Sequence, residues 1–293
     1  MALLNARTRQ FKEYVNGDIP PYAILSHTWD EQEVSLSDMD TRRSTGHASW
    51  RSSLEYVWID TCCIDKSSSG ELAEAINSMY SRYAQAETTA PLETLTNCHW
   101  FSRGWTLQEL IAPKRMIFFD ENWNQRGTKK DLVDRLSHKT GIPKAILLHQ
   151  RPLSSVSVAQ KMSWAAGRET TKVEDTAPFL YGEGHRAFRR LQDTIVSSVP
   201  DLSIFAWKLQ PPPSSTDPAE RNLQRREYCG VYAPSPSAFA ASRSFVKQKA
   251  FGRPELLPMN GSIMARMQFL IEMTPKNGGY RYLLPLSRRQ GIL

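Results

Sequence analysis

The sequence predicts an α/β fold with a mainly parallel sheet, because strand-like and helix-like segments alternate between residues 20 and 200. Residues 22–26 and 56–60 are short apolar runs with the β-branched and aromatic composition of buried strands. Between these and the next strand, Ser68 and Glu71 form a capping-box pattern at the start of an amphipathic segment. We therefore expect a helix that begins near Ser68 and runs to about Gln85.

The following segments continue the alternation. Residues 105–111 have helical spacing and are followed by Pro113, which cannot continue a helix. Residues 115–120 are apolar and aromatic and predict a third strand. A second capping-box pattern at Thr128 leads a helix toward Gly141. Two more helices are predicted at residues 157–168 and 185–198.

The C-terminal third differs in composition from the rest of the chain. A Pro-rich stretch predicts a linker at residues 208–228. Beyond it, short apolar runs separated by Pro, Asn and Gly predict a small strand-rich region at residues 229–293. The expected organisation is a main domain at residues 1–207, the linker, and this smaller region.

Composition excludes several classes of protein. No apolar run in the 293 residues approaches the roughly 20 needed to cross a bilayer, so we expect no membrane span. The net charge of +7 comes from basic pairs scattered along the chain, which predicts a solvated surface and no nucleic-acid partner. Four cysteines without CxxC spacing and a start without a signal-peptide pattern predict reduced thiols in a cytoplasmic protein.

The ends of the predicted strands supply the first candidate site. In parallel sheets, ligands bind beyond the carboxyl ends of the strands, where this chain carries Ser26, His27, Trp29 and Asp60. A histidine there can orient a substrate and an indole can stack on a base or on nicotinamide. The alternative is a hydrogen-bonded core histidine and a packed aromatic ring. No metal site is predicted, because the cysteines near Asp60 lack zinc-ligand spacing.

Six long stretches of the sequence carry a distinctive pattern: LLNARTRQF (3–11), PPYAILSHTW (20–29), EYVWIDTCCIDKSSSGELAEAINSMY (55–80), WFSRGWTLQELIAPKRMIFFD (100–120), SVAQKMSWAAGRETTKVEDTA (157–177) and LYGEGHRAFRRLQ (180–192). Together they resemble the fungal heterokaryon incompatibility (HET) domain. Residues 203–207 and 230–239 also resemble the segment that commonly follows this domain. The resemblance implies a fungal protein that acts in non-self recognition and programmed cell death, with protein partners and possible self-association.

The chain departs from the family pattern in three places. The segments between residues 39 and 55, 86 and 100, and 177 and 180 are shorter than the family's. In the second of these, the usual central strand is expected to be missing, which would remove hydrogen-bond partners from both neighbouring strands. An inactive, truncated paralogue is therefore one alternative function.

Residues 102–110, SRGWTLQEL, resemble a box of the Toll-like and interleukin receptor (TIR) domains, which have a flavodoxin-like sheet. In NAD-cleaving TIR proteins, the glutamate of this box stabilises the ribosyl cation, so the resemblance implies Glu109 as a catalytic residue and NAD as a substrate. A carboxylate is the group that an oxocarbenium-like state requires. Trp105 in the same box is a candidate substrate-binding residue, or else an ordinary core residue. Whether the protein is an enzyme or an assembly module stays open.

Overall fold

The computed structural model describes residues 1–14, 18–28, 35–40, 54–92, 98–169, 185–208, 231–245, 255–259 and 262–266. The chain forms two compact units. Unit 1 comprises residues 1–151 together with 168–171, and unit 2 comprises residues 152–167 and 172–293. The domain boundaries expected from the sequence, at residues 207 and 229, stay predictions. They follow from composition and family resemblance, whereas the two units are defined by compactness.

Unit 1 contains a seven-stranded mixed sheet, which confirms the α/β class. Its order is β2-β1-β4-β3-β5-β6-β7. The four central strands β4, β3, β5 and β6 pair in parallel, and the other three pairings, at both edges of the sheet, are antiparallel. The strands are β1 Ala2–Asn5, β2 Phe11–Glu13, β3 Tyr22–Leu25, β4 Tyr56–Trp58, β5 Glu87–Pro91, β6 Arg115–Phe119 and β7 Gln125–Thr128.

The helices of unit 1 follow their capping signals. In the longest, α2, the Ser68 hydroxyl accepts a hydrogen bond from the Glu71 N–H at 3.4 Å, as the capping-box pattern predicts. Helix α4 ends at Gly141, whose φ of 72° is the left-handed conformation that glycine adopts without strain. The helices are α1 Leu36–Asp40, α2 Ser69–Gln85, α3 Thr106–Ile111, α4 Val133–Thr140 and α5 Lys144–Leu147.

Strand β5 corrects one expectation from the sequence. The segment after Ala86 lacks an apolar run, yet residues 87–91 form a central strand that pairs in parallel with β3 and β6. Thr88 and Ala90 are buried on one face, so the pairing of both edges and the burial of alternate residues substitute for intrinsic strand propensity. The other two departures from the family pattern fall largely on residues 41–53 and 170–184, which lie outside the described residues.

Helix α2 packs on one face of this sheet. The Tyr22 hydroxyl donates to the backbone carbonyl of Arg82 at 2.7 Å. Trp58, on β4, meets Tyr83 edge to face with the ring centroids 6.3 Å apart. Both Trp58 and Tyr83 are almost fully buried. These contacts hold α2 against β3 and β4.

Unit 2 is built around helices α6 Val158–Ala165 and α7 His185–Ser198. The buried Gln192 amide pairs with both backbone groups of Ala233, donating at 2.9 Å and accepting at 2.8 Å. Residues 231–233 are consequently not a strand, contrary to the expectation for this run. A hairpin of β8 Glu255–Met259 and β9 Ser262–Arg266 is the strand structure described in the C-terminal region.

Other expectations fall on parts of the chain that are not described. The Pro-rich linker from residue 209 onward and the apolar runs at residues 267–273 and 280–284 lie outside the described residues. Within the described residues, no helix is long and apolar enough to cross a membrane.

Candidate functional site

A buried polar network lies at the carboxyl end of β3. Ser26 is fully buried and its N–H continues the sheet by donating to the Thr89 carbonyl at 2.8 Å. Its hydroxyl donates a short hydrogen bond to Oε2 of Glu109 and accepts one from the indole N–H of Trp100 at 2.7 Å. A single serine therefore joins a carboxylate and an indole inside the core.

The segment before α3 places Glu109 in this network. Trp100 lies in a 3-10 turn at His99–Ser102 and packs edge to face against Phe118 of β6, with ring centroids 6.2 Å apart. The Thr106 hydroxyl, at the start of α3, is within hydrogen-bond distance of the Trp100 carbonyl at 2.5 Å. Since Thr106 and Glu109 are three residues apart, they share one face of the helix. The turn and the helix thus direct the carboxylate toward β3.

Burial changes the acidity of Glu109. The side chain is 7% exposed, and burial, together with the negative charge of Asp60, raises its pKa from 4.5 to about 7. Hydrogen bonds from Ser26 and Tyr83 and the charge of His27 act in the opposite direction. Burial also raises the pKa of Tyr83 well above its ordinary value, so its hydroxyl stays a donor. Glu109 is therefore poised between its neutral and charged forms near pH 7.

The structure brings four of the sequence-predicted residues together. His27 follows Ser26, and its Nδ1 lies 3.9 Å from Oδ1 of Asp60, which follows the end of β4. Both side chains are largely buried, and both act electrostatically on Glu109. Ser26, His27, Asp60 and Glu109 thus form one site at the sheet edge that the strand-end rule indicates.

The two predicted tryptophans differ from this group. Trp105 is partly buried and packs against the hydrophobic core of unit 1, which fits the reading of an ordinary core residue. Its contribution to substrate binding stays a prediction. Trp29 lies outside the described residues.

Three residues of the site were missed by sequence reasoning. Tyr83 is predicted only as part of the apolar face of its helix, and neither Trp100 nor Arg168 is singled out by the sequence. The guanidinium of Arg168 donates to the Arg103 carbonyl at 2.8 Å and to the Thr106 hydroxyl at 3.0 Å. Each is remote in sequence from at least one of its partners, so no local spacing connects them. Trp100 and Arg168 lie within HET-like stretches, which is the one signal that could have indicated them, whereas Tyr83 lies just beyond such a stretch, among the buried residues of α2.

The adjacent cysteines are buried thiols. Cys62 and Cys63 are each 3% exposed and free, and Sγ of Cys63 accepts a hydrogen bond from the Ile59 N–H at 3.4 Å. The bond to Cys63 and burial raise the pKa of Cys62. Among the described residues, no three His, Cys, Asp or Glu side chains are grouped as metal ligands.

Two family models match separate parts of the chain. Residues 22–91 match the model described as heterokaryon incompatibility protein (HET), and residues 186–268 match a domain of unknown function, DUF8212. The HET match includes β3, β4 and β5 and therefore most strand-end residues of the site. Over these residues the chain is similar to HET-domain proteins, and the matched region lies in unit 1.

The sequence is also similar to a fungal protein. It is 39% identical to the vegetative incompatibility protein HET-E-1 of Podospora anserina over 230 residues. This similarity covers 64% of the chain but 17% of the relative, so the chain spans a small part of that longer protein. No solved structure is significantly similar to the chain.

Proposed function

We propose that this protein acts in heterokaryon (vegetative) incompatibility, where recognition of a non-self partner triggers programmed cell death. The HET-family match and the 39% identity to a vegetative incompatibility protein support this proposal. We further propose that it works in the cytoplasm, through protein partners and self-association. Similarity to a vegetative incompatibility protein, of which the chain corresponds to one part, supports this second proposal.

Within this function, we propose the network of Ser26, His27, Asp60 and Glu109 as the functional centre. The observation that carries it is a carboxylate 7% exposed whose pKa is raised to about 7 at the carboxyl edge of parallel strands. Buried carboxylates with strongly shifted pKa values are concentrated at functional sites. Burying a carboxylate is costly unless hydrogen bonds compensate for the lost water, and Ser26 and Tyr83 supply such bonds here.

A second candidate function is cleavage of NAD by a TIR-like site. The four parallel strands occur in the order β4-β3-β5-β6, which is the order 2-1-3-4 of a flavodoxin-like sheet. This order supports the proposed TIR-like fold, and Glu109 lies beside the end of its first strand. For this reaction, the ionised carboxylate would stabilise the cation formed as nicotinamide leaves. Because Ser26 and Tyr83 occupy the carboxylate, a substrate would have to displace at least one of them.

The test is expression of the chain in a fungal host that tolerates the empty vector. Cell death, cellular NAD and the oligomeric state of the purified protein are measured for the wild type, Glu109→Gln and Glu87→Gln. Glu87 is the control because its carboxylate is exposed and pairs with Arg115 on the outside of the sheet. We expect the wild type and Glu87→Gln to kill cells and Glu109→Gln to have lost most of this activity.

The outcomes separate the candidates. Loss of NAD in the wild type but not in Glu109→Gln supports NAD cleavage. Cell death at constant NAD, with self-association in solution, supports an assembly module. A folded wild-type chain that kills no cells contradicts the proposal and favours an inactive, truncated paralogue. Equal killing by Glu109→Gln and the wild type would show that cell death does not require the buried network.

A further inference from the structure

A short strap, defined here as Arg168 and Glu169, returns the chain to unit 1 between two parts of unit 2. Gly167, with a φ of 77°, makes the turn that leads into it. The Glu169 N–H donates to the Ser102 carbonyl at 2.6 Å, and the Gly104 N–H donates to the Glu169 carbonyl at 2.7 Å. The strap is therefore held by backbone pairing to the residues immediately before α3.

The guanidinium of Arg168 extends this attachment to the helix of Glu109. It donates to the Arg103 carbonyl at 2.8 Å and to the Thr106 hydroxyl at 3.0 Å. Thr106 begins α3 and lies one helical turn from Glu109 on the same face. Arg168 thus fixes the start of α3, whose first turn also carries the carboxylate.

The groups around Glu109 act on the pKa of its carboxyl in both directions. Asp60 disfavours the charged carboxylate, whereas His27 and the hydroxyls of Ser26 and Tyr83 favour it. Burial lowers the pKa of Arg168 to about 10, and Glu109 is the group that acts against this shift. Arg168 therefore stays positively charged at neutral pH.

We propose that Arg168 is a positioning residue for Glu109, which holds the first turn of α3 and supplies a permanent positive charge near the carboxylate. This inference rests on the proposed functional centre.

The experiment measures the pKa of Glu109 directly in the purified full chain. Glutamate is labelled with ¹³C at the carboxyl carbon and titrated by NMR, with the signal assigned by its loss in Glu109→Gln. We expect Arg168→Met to raise the pKa of Glu109 by about one unit, because a nearby cation is removed. Arg168→Lys should give a smaller rise, because it keeps the charge but loses the planar fork. A matched cation control is Lys129→Met, which removes a buried charge from the other end of α3 and should shift the pKa less.

A second pair of variants tests the strap without touching the guanidinium. Glu169→Pro removes the N–H that donates to Ser102, whereas Glu169→Ala keeps it. We expect a raised pKa of Glu109 in Glu169→Pro and an unchanged one in Glu169→Ala. A purely structural role for Arg168 predicts a lower melting temperature in folded Arg168→Met with the pKa of Glu109 unchanged, and that result would overturn the inference.

The readout also separates this inference from the proposed function. A shifted pKa in Arg168→Met, combined with normal killing by Glu109→Gln, supports the positioning role and contradicts a functional role for Glu109. Loss of killing in Glu109→Gln, combined with an unchanged pKa in folded Arg168→Met, retains the proposed function and rejects the positioning role.

Discussion

Two buried ionisable groups, Glu109 in α3 and Lys129 at the carboxyl end of this helix, differ in their hydrogen-bond partners. Lys129 is 2% exposed, and its ammonium donates to the backbone carbonyls of Leu110 and Pro113 beyond the end of the helix. Burial lowers its pKa to about 8. Glu109 instead contacts side chains from β3 and α2, namely Ser26 and Tyr83.

The difference distinguishes a structural charge from a candidate functional one. Backbone carbonyls cannot titrate, and a cation at a helix C-terminus satisfies them and the helix dipole. Lys129 therefore stabilises the end of α3. The carboxylate of Glu109 is surrounded by groups whose charge or hydrogen bonds can change, so its protonation state responds to its surroundings. The predictions below test this contrast in order of decreasing effect.

Trp100→Ala should produce the largest loss of stability. The side chain is 1% exposed, packs edge to face against Phe101 and Phe118, and supports Ser26 by a hydrogen bond. Removing a buried tryptophan costs about 3 to 5 kcal/mol. Urea unfolding measures the loss, and Trp105→Ala, which truncates a partly buried ring, should cost clearly less. Equal losses in both variants would contradict the central role of Trp100.

Glu109→Gln should remove a pH dependence of stability. The folded protein binds the Glu109 proton more tightly than the unfolded chain, whose pKa is near 4.5, so wild-type stability falls as pH rises from 4.5 through about 7. The loss amounts to about 3 kcal/mol for this group. Unfolding free energies between pH 4.5 and 8 should therefore decrease more steeply in the wild type than in Glu109→Gln. Parallel curves would show that burial does not raise this pKa.

Lys129→Met should destabilise the protein by about 1 to 3 kcal/mol near neutral pH, because two buried carbonyls lose their donor. The pKa of Lys129 is lowered from 10.5 to about 8, so the unfolded chain binds this proton more tightly and wild-type stability gains a contribution as pH rises from 8 to 10.5. The variant should lack that gain. Lys130→Met, at an exposed neighbouring position, serves as the control and should change stability little.

Ser26→Ala should have the smallest effect on stability, about 1 kcal/mol, because the change removes hydrogen bonds but little volume. Its effect on Glu109 is more diagnostic. The hydrogen bond from Ser26 favours the charged carboxylate, so its loss should raise the pKa of Glu109 further. A ¹³C titration of Glu109 measures this shift. An unchanged or lowered pKa would mean that Ser26 does not stabilise the carboxylate.

Elements with local signals can be predicted from neighbouring residues alone. Helix α2 begins after the Ser68 cap and ends at Gln85, and helix α7 spans residues 185–198, both as predicted. Strands β3, β4 and β6 lie within the predicted apolar runs. Caps, periodicity and apolar runs are encoded within one or two turns of chain, so neighbouring residues are enough to specify them.

The strand-end rule also determined part of the site. Because residues after parallel strands meet at one edge, Ser26, His27 and Asp60 could be grouped before any contact was known. The glutamate came from the resemblance of residues 102–110 to the TIR box. Edge strands β1, β2 and β7 were not predicted, since segments of three or four residues carry too weak a pattern.

The remaining features depend on contacts between distant parts of the folded chain. Strand β5 forms because β3 and β6 pair with both of its edges, although its own residues show no clear strand pattern. The bond between Ser26 and Glu109 joins residues 83 positions apart, and the contacts of Arg168 with Arg103 and Thr106 span 65 and 62 positions. Burial sets the pKa of Glu109, and burial depends on which distant segments cover a side chain. No local spacing carries that information, because the physical cause arises only when the chain has folded.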